Sequence, residues 1–178
     1  MRYLLVLARA IDTVNSFVGR AVAWLVLAAV LVSAGNAVAR YALGLSSNAW
    51  LEIQWYLFSA VFLLCAGYTL LRNAHVGIDV LSGRLSPRTR AWIDIAGGLF
   101  FLLPMALIVL YLSWPMFVDS YLTHEISSDA GGLTRWYVKV LIPIGFALLV
   151  LQGVSEIVKR VAFLLGRSDD ASTAAAGR

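Results

Sequence analysis

Residues 95–118 read IAGGLFFLLPMALIVLYLSWPMFV and contain no charged side chain. A helix needs about 20 such residues to cross the ~30 Å hydrocarbon layer of a bilayer, so this stretch predicts a membrane span. Three more uncharged apolar stretches surround it, Ala21–Ala39, Ile53–Leu71 and Val140–Ser155, the last reaching Val158 if Glu156 lies at the interface. The predicted fold class is an all-α integral membrane protein with four transmembrane helices, at about 21–43, 50–71, 92–118 and 138–160 of a membrane domain covering 21–165.

The charges between the stretches predict the orientation. Of 14 Lys and Arg residues, only Arg40, Arg135 and Lys139 fall on one side, and the rest flank the N terminus, the 72–90 loop and the C-terminal tail. By the positive-inside rule both termini are cytoplasmic, as an even number of crossings requires. Composition agrees, with 61% hydrophobic and 13% charged residues and a mean hydropathy of +0.82. Such values lie far from those of a soluble domain.

A formal net charge of +4 does not point to nucleic acid, because the basic residues sit beside span ends and no aromatic-basic surface motif accompanies them. Membrane lipids with anionic headgroups are the expected partners of those charges. Cys65 is the only cysteine, so no internal disulfide forms.

Ahead of the first span, Leu4, Leu7, Ile11, Val14 and Val18 recur at three and four, with Arg2, Arg9, Asp12, Ser16 and Arg20 on the other face. Residues 1–20 are therefore expected as an amphipathic helix in the cytoplasmic interface. In the first span, Ala29, Ser33 and Ala37, with Gly35 and Ala39 beside them, form a small face for helix contact, and Asn36 calls for a hydrogen-bond partner. Pro104 should bend the third span, Pro115 should mark its end, and Pro143 falls in the first turn of the fourth helix. The tail, 166–178, lacks an apolar period and is expected to be disordered.

Function is constrained mainly by what the spans lack. Glu52, Asp94, Asp119, Lys139 and Glu156 all sit at predicted span ends, so no charge lies at mid-membrane depth to form a proton or ion pathway. The chain shows no repeated halves of the kind complete secondary transporters carry. Phosphate-binding loops, zinc patterns and paired His on one helix face are absent, and no catalytic, substrate-binding or metal residue is assigned. His75 and His124 fall on opposite sides of the bilayer, which argues against a bis-His haem.

The segment Trp50-Leu51-Glu52, Trp55-Tyr56-Leu57-Phe58, Phe62, Ala66-Gly67 and Leu71-Arg72-Asn73-Ala74-His75-Val76-Gly77-Ile78-Asp79-Val80 resembles the small permease subunit of TRAP transporters, the tripartite ATP-independent periplasmic type (DctQ-type family). Ile53 stands where that family often has a second acid. The resemblance implies a non-enzymatic scaffold subunit in a bacterial inner membrane. Its implied partners are a large permease subunit, which would bind substrate and sodium, and a periplasmic protein that delivers an organic acid. No cofactor is implied for this chain.

On that resemblance Glu52, Trp55, Arg72, His75 and Asp79 are candidates for the subunit interface, while Glu125, Asp129 and Arg135 are candidates for contact with the binding protein. Each has a plainer reading. Glu52 in the first turn of the second helix is favoured by the helix dipole; Arg72, His75 and Asp79 suit a solvated turn; and residues 121–136, with Gly131-Gly132, suit a simple connection. Two other function classes remain open on residues alone, a proton-coupled four-helix exporter using Glu52 and a membrane anchor for a redox enzyme.

Overall fold

The computed structural model describes residues 2–44, 47–72 and 85–166. Its helices are α1 (Arg2–Ala42), α2 (Asn48–Leu64), α3 (Ala66–Leu71), α4 (Pro87–Gly97), a π-helical turn (Gly98–Leu102), α5 (Leu103–Leu122), α6 (Trp136–Lys139) and α7 (Leu141–Leu164). They form four units long and apolar enough to cross a membrane: Arg2–Ala42, Asn48–Leu71, Pro87–Leu122 and Trp136–Leu164. Among the described residues there is no strand, only an isolated bridge between Ile126 and Thr134.

α7 is the centre of the bundle. It packs against α1, α2 and α3 and against α4 and α5, and among the described residues α4–α5 meets the other helices mainly through α7 and α6. The connections α1–α2 and α5–α6 share one end, here the loop end; the N terminus and the close of α7 share the other, the terminal end.

Packing is inverted relative to a soluble protein. Buried positions are small or polar, such as Ala8, Ala60, Ala106, Ala162, Asn15, Ser113, Gln152 and Ser155, while Phe100, Phe101, Tyr111, Leu112 and Trp114 are exposed. Lipid tails are as apolar as leucine, so burying large apolar groups gives little drive, and close backbone approach matters more. Gly145 provides such an approach: a Cβ there would lie 2.6 Å from the Leu63 carbonyl oxygen. At Gly153 an added Cβ would meet the Leu102 side chain at 2.7 Å.

Residues 2–20 are helical and continuous with the first span, since α1 runs through them without a break. Within the bundle they bury Ala8, Asn15 and Gly19, and they leave Leu4, Leu7 and Val14 exposed. Ser33, Gly35 and Ala37 are exposed, and a Cβ on Gly35 would meet nothing within 4 Å. Among the described residues, Ser33, Gly35 and Ala37 are thus not buried against another helix, while Ala29 and Ala39 are partly covered.

Pro115 does not end the third span. The helix continues to Leu122, held by a run of rings from Trp114 to Phe117 (5.9 Å) to Tyr121 (6.1 Å), with Tyr121 edge-on to Trp136 at 5.4 Å. One missing amide bond is tolerated where the neighbouring turns are so anchored. The irregularity lies instead just before Pro104, where the π turn carries the Leu103 amide to the Gly98 carbonyl. A proline lacks the N–H to continue the regular ladder, and a π turn is one way to absorb the loss. The second span is interrupted at Cys65 (ψ −9°), whose carbonyl accepts both the Thr69 amide (2.8 Å) and the Thr69 hydroxyl (2.9 Å). Pro143 sits in the first turn of α7, as expected.

Candidate functional site

At the loop end, one face of α2 grips the 123–135 loop. Asn48, Glu52 and Tyr56 recur every fourth residue and so point the same way. The Asn48 amide donates to the Ala130 carbonyl (3.1 Å), the Tyr56 hydroxyl to the Thr134 carbonyl (3.3 Å), and the Glu52 carboxylate accepts from Ser127 Oγ and from the Leu133 amide (2.6 Å). α2 begins at Asn48, so Glu52 lies in the second turn, beyond the helix-dipole position expected from sequence. Its charge is balanced by donors from the loop instead.

The loop is internally braced. The Ser127 amide donates to the Leu133 carbonyl and the Arg135 amide to the Glu125 carbonyl, both at 2.9 Å, closing a small hairpin. Gly131 has φ +73°, a conformation costly for other residues, and the Gly132 amide turns back to the Asp129 carbonyl (2.9 Å). Glu125 pairs with Lys139. That ammonium holds the Glu125 carboxyl below the ordinary value of 4.5.

Between α2, this loop and α6 lies a cleft of about 600 Å³. Leu51, Trp55 and Val138 supply apolar wall, and Glu52, Asp129, Arg135 and Lys139 supply charge. Trp55 is 75% exposed beside it.

The terminal end holds a second polar cluster. Gln152, completely buried, donates to Asp12 Oδ1 (2.8 Å) and Glu156 Oε1 (3.1 Å) and accepts from the Asn15 amide (3.0 Å). Ser155 donates to Asp12 Oδ1 (2.8 Å), and Lys159 bridges Asp12 (3.0 Å) and Glu156 (2.5 Å). Arg160 reaches Asp94 at 3.1 Å, tying α7 to α4. The cluster joins the first and last helices by side chains about 140 positions apart. Sequence reading missed it, although Gln152, Ser155, Glu156 and Lys159 at i, i+3, i+4 and i+7 make a polar stripe on an otherwise apolar helix.

The candidate residues are thus redistributed. Glu52 and Trp55 share the cleft with Asp129 and Arg135, so residues expected at two different surfaces meet in one place. Glu125 is committed to Lys139. Arg72 is exposed at the close of the second span, its Nε donating to the Tyr68 hydroxyl (3.1 Å). His75 and Asp79 lie outside the described residues, as does the 167–178 part of the tail. Among the described residues no group of three His, Cys, Asp or Glu is placed to hold a metal.

Four apolar helical units carrying their charges in clusters toward the two ends define a multi-pass helical membrane protein. More specifically, residues 29–163 match the family described as tripartite ATP-independent periplasmic transporters, DctQ component, and the chain belongs to that family. It is accordingly a small membrane subunit of a TRAP transporter, a transport component and not an enzyme family. No curated protein and no solved structure matches the chain.

Proposed function

We propose that this chain is the stationary scaffold subunit of a secondary active transporter in a bacterial inner membrane, with both termini cytoplasmic. The transporter would take up an organic acid captured by a periplasmic binding protein. On this reading a separate large permease subunit binds substrate and the coupling sodium ions and moves against this chain, which binds neither. Family membership over 29–163 carries the proposal.

The physical character of the bundle supports it. Its polar side-chain networks gather toward the two ends, where they lock helices to each other and to the loop. Among the described residues the α4–α5 unit packs mainly on α7, with α6 touching its end, and leaves Phe100, Phe101, Ile108, Tyr111 and Leu112 exposed. A rigid, lipid-matched wall suits a fixed partner for a moving domain. The orientation follows from the Lys and Arg asymmetry.

Co-expression with the large permease subunit and purification in mild detergent tests the pairing. A stable one-to-one complex is expected. A homodimer that persists and excludes the large subunit would refute it.

A further inference from the structure

The loop-end cleft has a specific chemistry. Its volume of about 600 Å³ is in the range of true ligand sites. Two of its charged groups are already satisfied: Lys139 by Glu125, and Glu52 by Ser127 and the Leu133 amide. Among the described residues, the half-buried Arg135 guanidinium makes no side-chain hydrogen bond or ion pair, while the exposed Asp129 side chain lies against the Glu52 carboxylate; both line the cleft. The site therefore offers a planar cation and a pair of neighbouring carboxylates above an apolar wall of Leu51, Trp55 and Val138.

We infer that this cleft binds one phospholipid with an aminoalkyl phosphate headgroup, of the phosphatidylethanolamine type, from the leaflet at the loop end. The phosphate meets Arg135, whose forked donors suit phosphate oxygens. The ammonium meets Asp129, with the Glu52 carboxylate behind it. The first methylenes of an acyl chain lie along Trp55, Leu51 and Val138. A free organic acid fits less well, because the Glu52 and Asp129 carboxylates line the same cleft and would repel it, whereas the lipid's ammonium meets them. The helices that bound the cleft carry Trp50, Trp55, Trp136 and Tyr137, residue types that concentrate at membrane–water boundaries.

Native mass spectrometry of the purified full chain, released from nanodiscs of mixed phosphatidylethanolamine and phosphatidylglycerol, tests this. Wild type should retain one phosphatidylethanolamine. Arg135→Gln should cut retention of both lipids by about tenfold or more, as expected for loss of a charge-assisted pair. Asp129→Asn should keep binding and lose the preference for phosphatidylethanolamine. Trp55→Ala, at an exposed position that leaves folding intact, should lower retention of both, and Arg40→Gln should change nothing. Soluble phosphoethanolamine at millimolar concentration should not displace the lipid. Equal retention by wild type, Arg135→Gln and Trp55→Ala would overturn the inference. So would displacement by phosphoethanolamine, or lipid loss on binding the large subunit, which would make the cleft a protein contact.

Discussion

Replacing Gln152 with leucine keeps side-chain volume nearly constant and removes three interhelical or intrahelical hydrogen bonds at one buried point. Bonds of this kind contribute about 0.5–1.5 kcal/mol each in water-soluble proteins, and interhelical ones in membrane proteins average ~0.6 kcal/mol. The substitution also strands the Asn15 amide, left with only the Ile11 carbonyl at 3.4 Å. A buried polar group without a good partner costs roughly 1–3 kcal/mol. Leucine recovers part of this through better apolar packing, so the expected net loss is about 2–4 kcal/mol. Reversible unfolding by SDS titration in mixed micelles, followed by tryptophan fluorescence, reads the difference. Combining Gln152→Leu with Asn15→Ala should show a coupling of about 0.5–1.5 kcal/mol, since the two share one hydrogen bond. A variant as stable as wild type, or strictly additive losses, would refute the reading. The desolvation of the Asp12, Glu156 and Lys159 charges would then cancel what the network contributes.

Other substitutions probe packing and the loop. Gly145→Ala should destabilise by about 1–3 kcal/mol, because its Cβ would sit 2.6 Å from the Leu63 carbonyl and only backbone movement relieves the clash; the same titration checks it, and an unchanged midpoint would mean the helices are less tightly apposed. Glu52→Ala should leave Ser127 and the Leu133 amide without their acceptor and raise the rate of protease cleavage within residues 125–134 several-fold, with the helical content unchanged. An uncut loop in that variant would show that the hairpin stands without α2. For Glu125 the folded carboxyl titrates below 4.5; a depressed value stabilises above the ordinary pKa and is lost as pH falls through the folded one. The stability difference between wild type and Glu125→Gln should therefore be constant above about pH 5 and vanish in stronger acid. A difference that grows on acidification would contradict the Lys139 pairing.

The four spans were legible because uncharged runs of sufficient length have few other fates in a chain this apolar. The family was legible in the segment from Trp50 to Val80, and the profile match over 29–163 bears it out. The inner face of α1 was not. Periodicity separates an apolar from a polar face, but which face turns inward depends on the solvent. Around Asp12 and Asn15 the polar face is the buried one, against α7. The grip of α2 on the loop had a signal, the recurrence of Asn48, Glu52 and Tyr56 at every fourth position. Its partners, Ala130, Ser127, Leu133 and Thr134, lie some 75–82 residues away, and most of the contacts are to backbone atoms that no sequence pattern marks. Pro115 was misjudged for a related reason. A proline ends a helix when nothing else holds the next turn, and here the Trp114–Phe117–Tyr121–Trp136 rings do.

Gradient-driven organic-acid uptake into proteoliposomes tests most directly whether this chain is a support and not a carrier. With the large permease subunit and the binding protein present, uptake should follow an imposed sodium gradient; with this chain alone, accumulation should match empty liposomes. Comparable uptake by this chain alone would contradict the account.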